Sequence, residues 1–332
     1  MGVIWMTFAT IALSIASAAP TIAPADPPNL KDYGLICFCT ARTATPHRLV
    51  KADNNGRILL LARNGVTKPQ IVAAGEPVSD SQLQALQDWG LLAQKDDRFT
   101  TSFPILGSTQ MAALRARLEP ISTELSRKIA PDIKAVQTEL HARGQSKSME
   151  AVLFGYILDG LTWRALEEAK ALPAQDLDVE HPYWNGAFWA VFPKQETMPG
   201  TNSQTEGKTE IRMMWTQPVL PWFERLARGG GASALPGAVV VRETSADTIY
   251  VRGRAASAHI ASAVMAANLD DVIPSADAKQ RVLIATHELI WMLLDRANRD
   301  LGLKAPAVLK DGATTLQDVA PLVVVIERAD TP

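Results

Sequence analysis

Between Ser108 and Leu172 apolar residues recur at intervals of three and four, among them Met111, Leu114, Leu118, Ile121 and Leu125, and that spacing admits only helices with one buried stripe. Pro120, Pro131 and Gly144 are expected to punctuate this stretch into separate helices. Past a polar linker, Pro173 to Pro182, aromatics concentrate and strand patterns appear. Trp184 to Phe192 and Ile211 to Trp215 are predicted strands, separated by a loop rich in Thr, Ser and Gly. Gly237 to Val241 and Thr248 to Arg252 are predicted to form a hairpin, Ala255 to Leu269 and Ala278 to Leu301 helices, and Leu322 to Ile326 a final buried strand. Helices segregated before a mixed region give an α+β chain, with a helical part over 32–172 and a mixed α+β domain over 183–328.

The first segment, Met1 to Ala19, carries no charge and ends in Ala16-Ser17-Ala18-Ala19, before a proline-rich stretch from Pro20 to Pro28. A short apolar run followed by small residues has the form of a secretory signal peptide over 1–18, cut after Ala18, with 19–31 as linker. Met1 to Met6 lacks the usual Lys or Arg, so an uncleaved membrane anchor or a start codon misplaced upstream of a cytosolic protein are the rival readings. The expected compartment is the periplasm or the medium. With 332 residues, 47% apolar and a formal charge of −2, the chain can bury a core, and it shows no Lys/Arg cluster of the kind that binds phosphate backbones.

Gly56 to Leu106 gives a helical patch around Ile58 to Ala62, then Val66 to Ala74, then a helix from Ser79 ending at Gly90, then a hairpin around Lys95-Asp96-Asp97. Here Leu86-Gln87-Asp88-Trp89-Gly90-Leu91-Leu92 runs into a charged turn that ends at Phe99-Thr100-Thr101, and over about fifty residues the segment resembles a winged-helix domain. In members of that fold that read DNA, the helix corresponding to Ser79–Trp89 carries basic or amide side chains into the major groove. Here it carries Asp80 and Asp88 and no Lys or Arg, and the charges from Gly56 to Ile105 balance to zero, so the module is expected to pack or dock and nucleic acid is not the expected partner. Long helices following such a module also allow pairing with a second copy.

Cys37 and Cys39, the only cysteines, lie in the strand-like run Leu35 to Thr40 and share one face of it. They are expected to be two buried thiols, the sharper alternative being a redox or metal pair. His181, Trp184, Asn185, Trp189 and the loop residues Thr201, Asn202 and Ser203 offer aromatic faces beside amides and hydroxyls, a surface suited to a sugar or peptide. His287-Glu288 sits on a predicted helix, but Trp291 occupies the position where a zincin has its second histidine, so no metal site is expected. His287 with Glu288 could act in acid–base chemistry if His181 or His259 met it in space. Nucleophile-elbow, phosphate-loop and dinucleotide patterns are absent, and Gly229-Gly230-Gly231 is a connection. The expectation is an exported, non-enzymatic binding or protein-interaction protein of the cell envelope, without a cofactor, taking a small-molecule or protein partner through Trp184, Asn185, Trp189, Thr201, Asn202 and Ser203. Its alternatives are an envelope hydrolase using His287, Glu288, His181 and His259, and a DNA-binding winged-helix regulator if the N-terminus is misassigned.

Overall fold

A computed structural model describes residues 26, 28–194, 199–228, 235–303 and 305–329. The expected signal peptide and the glycine run at 229–231 lie outside the described residues, as do residues 19–25 and 27 of the expected 19–31 linker. Helices and sheets are both present, and the chain is α+β.

Among the described residues a single 3-10 turn, Leu30–Asp32, precedes strand β1 (Gly34–Ala41), and helices α1 (Pro46–Lys51) and α2 (Asn55–Ala62) follow. A two-residue strand β2 (Val66–Thr67) leads into α3 (Lys68–Ala73), which opens on a capping box between Thr67 and Gln70. Helix α4 (Asp80–Asp88) is capped by the Ser79 hydroxyl, and β3 (Leu92–Lys95) and β4 (Arg98–Thr101) form the expected hairpin. The three short strands make a sheet in the order β2-β4-β3.

After β5 (Ile105–Leu106), helix α5 runs unbroken from Ser108 to Ala142 through both Pro120 and Pro131. The expected punctuation there does not occur. Its buried stripe, from Met111 through Leu125 to Leu140, packs against two later helices, and burial along that whole length outweighs the lost backbone bonds of two prolines. A buried π-helical stretch, Ala151–Leu161, follows and continues into α6 (Thr162–Glu168). Such wide turns are rare and often mark functional sites.

Strand β6 (Trp184–Val191) lies between β1, antiparallel, and β5, parallel. Its alternation divides the molecule. Ala187, Trp189 and Val191 point into a core that draws on residues from Leu106 to Ile326, while Phe188 and Ala190 point into a second core built from Leu30 to Ile105. The first of these cores is continuous across Pro173–Pro182, since α5, the π-helical stretch and the later sheet all belong to it. Gly186 pairs with Cys39 at a φ of +128°, and a Cβ there would fall 2.2 Å from the Phe38 carbonyl oxygen, so only glycine lets the two strands close at this point.

The second large sheet has the order β7-β8-β10-β9. The polar segment expected to be a loop is instead β7 (Gly200–Glu206), paired in a hairpin with β8 (Thr209–Trp215), because alternating Thr and Ser side chains fit a half-exposed strand next to the turn at Gly207. Helix α7 (Leu220–Arg228) follows. The expected hairpin between Gly237–Val241 and Thr248–Arg252 is also corrected. β9 (Val239–Glu243) pairs in parallel with β10 (Val323–Arg328), and Thr248 opens helix α8 (Thr248–Ala266) because the Asp247 carboxylate accepts from the Ile249 and Tyr250 amides and caps it. Helix α9 (Ala278–Leu301) matches its predicted span. No helix among the described residues is long and apolar enough to cross a membrane.

Candidate functional site

A cleft of about 1000 Å³ opens where β1, β6, the π-helical stretch, the β7–β8 hairpin and α9 meet. Each element delivers side chains for a local reason. The alternation of β6 turns Trp189 inward, and Gly200 at the start of β7 lets the Trp215 ring approach so closely that a Cβ would lie 2.8 Å from it. Helical spacing on α9 sets His287 and Trp291 on one side of the cleft together with Glu288. Trp189 and His287 meet edge to face at 5.5 Å, and Phe154 packs on Trp291 at 4.5 Å.

Asp159 is the acidic centre of this cleft. The Thr201 hydroxyl and the Trp163 indole N–H, the latter at 2.7 Å, both donate to its carboxylate. The Arg212 guanidinium donates to the Asp159 backbone carbonyl at 2.7 Å and to that of Gly155 at 3.3 Å, satisfying carbonyls of the wide helix turn. Burial pushes the Asp159 carboxyl above its ordinary value, against the opposing pull of the two hydrogen bonds and of the charges on Arg212 and His287. Glu288 is displaced the other way. Burial favours its neutral form, but His287 and the Arg115 guanidinium, 3.0 Å away, outweigh that and hold the carboxyl below its usual range. One cleft thus holds a carboxyl poised towards protonation and another held ionised, the separation of roles on which acid–base chemistry rests.

Five buried polar atoms of residues lining this site find no hydrogen-bond partner among the described residues: Tyr33 Oη, Trp189 Nε1, Trp215 Nε1, His287 Nδ1 and Glu288 Oε1. The last two approach to 3.8 Å, beyond hydrogen-bond distance. Leaving buried polar groups unpaired costs free energy, and these are groups that a ligand can complete.

Of the residues expected from sequence, the cleft brings together His287, Glu288, Trp189, Thr201 and Asn202. His181 lies elsewhere, exposed and paired with Asp178 at 3.0 Å, because the Asp178 carboxylate also binds the backbone N–H groups of Glu180 and His181 and fixes this turn at the surface. His259 is half-buried on α8 and is not at the cleft, so neither expected histidine partner meets His287 there. Trp184 and Asn185 are already occupied: the Trp184 indole donates to the Trp89 carbonyl at 2.7 Å and Asn185 to the Asp176 carbonyl at 2.6 Å, which fastens β6 to the end of α4 and to the chain before it. Ser203 is exposed on β7, outside the cleft. Asp159, Trp163, Trp215 and Trp291 were missed. The Asp159 and Trp163 spacing of four on a helix was a visible signal, but nothing in it distinguished an inward-facing carboxyl from a surface one.

The two cysteines are joined by a disulfide, with 5.4 Å between their Cα atoms, and both are half-buried, which corrects the expectation of buried thiols. Among the described residues no three His, Cys, Asp or Glu side chains gather as a metal site. Comparison with protein-family models, with curated proteins and with solved structures finds no match to this chain.

Proposed function

We propose that this chain is a ligand-binding protein of the cell envelope whose central cleft takes a small organic molecule or short peptide. The supporting observation is the pair of unpartnered indole N–H groups, Trp189 and Trp215, set in an aromatic cleft of about 1000 Å³. Aromatic faces supply area and the N–H groups supply direction, a combination that suits a ligand carrying hydroxyl or amide oxygens. The apolar segment Met1 to Ala19 supports the compartment. The order helix, strand, two helices, hairpin, with the sheet order β2-β4-β3, supports a winged-helix-like N-terminal module, and the acidic character of α4 favours docking over base reading.

The test is a tryptophan-fluorescence titration with neutral oligosaccharides and with short uncharged peptides. Trp215→Phe keeps an aromatic ring in place and removes the donor together with part of the indole surface, so it should weaken binding by at least about tenfold, the effect of one hydrogen bond of about 1.4 kcal/mol. A panel in which no member changes the fluorescence or the melting temperature would sink the reading.

A second reading, an envelope hydrolase, is favoured by one observation, the meeting of Asp159 with His287 and Glu288 in the same cleft. In it Asp159 is the proton donor to a leaving group. Hydrolysis of a chromogenic ester or glycoside that vanishes in Asp159→Asn while ligand affinity persists would establish it; activity unchanged by that substitution excludes it.

A further inference from the structure

The backbone of β1 turns half of its polar groups away from its sheet. Just past the strand the Arg42 amide donates to the Tyr183 carbonyl in the same register, while the Ala190 amide of β6 turns the other way, to the Pro104 carbonyl beside β5. Gly34, Ile36, Phe38 and Thr40 therefore carry the bonds to β6, and the N–H and C=O groups of Leu35, Cys37 and Cys39 point to the free edge. The His47 Nε2 donates to the Leu35 carbonyl there at 2.9 Å, and among the described residues the outward backbone groups of Cys37 and Cys39 make no hydrogen bond. Edges are normally guarded by brevity, charge or proline. The edge strands β2 and β5 have two residues each, and β3, β7 and β9 carry Lys95, Glu206 and Arg242. β1, eight residues long, has neither charge nor proline.

This unguarded edge runs beside the central cleft. Five consecutive residues, Gly34 to Phe38, line the cleft, which a strand does only along an edge, because alternate side chains turn to opposite faces. Trp189, with its unpartnered indole N–H, lies on the face that Ile36 and Phe38 share, and His47, packed on Phe188, flanks the edge from the other. Positive charge gathers at one end. Lys31 is in the turn before Gly34, Lys51 is one helical turn after His47, and the Lys194 Cα lies 3.8 Å from where a Gly34 Cβ would stand; all three line the cleft. Asp159 belongs to the other end, bonded to Trp163, whose ring packs on Phe38 at 5.4 Å.

We propose that the cleft takes an extended acidic peptide, which adds as a strand to the free edge of β1 with its carboxylates towards Lys31, Lys51 and Lys194. This narrows the ligand-binding reading above and rests on it. Main-chain bonds to Cys37 and Cys39 supply affinity whatever the peptide sequence, alternate peptide side chains enter the aromatic cleft beside Trp189, and the lysines select charge and fix direction. The outward groups recur every second residue, the repeat of another strand, and a sugar has no alternating N–H and C=O groups to match them.

The experiment titrates the full chain, by tryptophan fluorescence, with a library of capped peptides of about six residues, a common strand length, half carrying Asp and Glu and half Asn and Gln at the same positions. The acidic half should contain the tightest binders. Lys51→Glu, at an exposed position, should weaken those by about tenfold and leave their amide counterparts unchanged. In the tightest binder, N-methylation should weaken binding by at least about tenfold at every second residue and little between. Hydrogen exchange should show the Cys37 and Cys39 amides gaining protection on binding, with those of Ile36 and Phe38, already in the β6 ladder, unchanged. Equal binding of acidic and amide peptides, N-methylation without a two-residue period, unchanged exchange at Cys37 and Cys39, or binding of oligosaccharides alone overturns the proposal and leaves the ligand-binding reading standing. If no peptide and no oligosaccharide binds, both fall.

Discussion

Asp159 shows how one side chain couples site and stability. Its folded-state carboxyl is raised above the ordinary 3.8, so the folded protein holds the proton more tightly than the unfolded chain does. The contribution is therefore fully favourable below 3.8, declines as pH rises through the window between that value and the raised folded one, and stays lost above it. Asp159→Asn has no such proton to lose. The free-energy difference between variant and wild type in urea unfolding should move in the variant's favour from below 3.8 to neutral pH, whatever constant penalty the amide pays beside the Trp163 and Thr201 donors. A difference independent of pH would show that the carboxyl is ionised freely in the fold. From sequence, His287 and Glu288 could be singled out because adjacent titratable residues stand out on a helix. Asp159 could not, since its significance comes from Thr201 on a strand 42 positions later and from a guanidinium on the next strand.

Arg212 links elements that are far apart in the chain. From β8 its guanidinium donates to the buried Glu210 carboxylate at 2.6 Å and to two carbonyls of the π-helical stretch, while Arg328 on β10 holds the same Glu210. The Arg212 side chain is only 16% exposed and that of Glu210 3%, so the pair exchanges little with solvent. Removing one partner leaves a buried charge with less than its full complement. Arg212→Met should cost about 3 kcal/mol in urea unfolding, with Arg328 preventing a larger loss. It should also weaken cleft binding in the tryptophan titration, because the carbonyl of Asp159 loses its donor. Loss of stability with unaltered affinity would mean that the wide helix keeps Asp159 in place unaided. Elements with a clean period were legible: α4 with its Ser79 cap, the β3–β4 hairpin, β6 and α9 all lie where their patterns put them. Long-range packing decided the others. It carried α5 through two prolines, and pairing with β8 turned a polar stretch into β7. The π-helical stretch is as apolar as any buried helix and announces nothing in sequence.

At the scale of the whole molecule, β6 is a wall with a core on each side, and this bears on how the protein unfolds. Phe188 meets Phe103 at 4.8 Å and His47 at 5.3 Å in the N-terminal core, while its neighbour Trp189 meets His287 in the other. The sheet β1-β6-β5 joins the parts on either side of Pro173–Pro182, because β1 and β5 come from the N-terminal part and β6 from beyond the linker, so neither part completes its core without the other. Stripping one face of β6 should therefore weaken both. Phe188→Ala should cost about 3 to 5 kcal/mol, and hydrogen exchange should report that same loss for the most protected amides of α2, in the N-terminal core, and of α9, in the other. The cleft sits on this wall, framed by β1 from one part and α9 from the other. If α9 instead kept its protection while α2 lost it, the two cores would be separate cooperative units. Each could then open without the other, and the cleft between them would be free to widen without global unfolding.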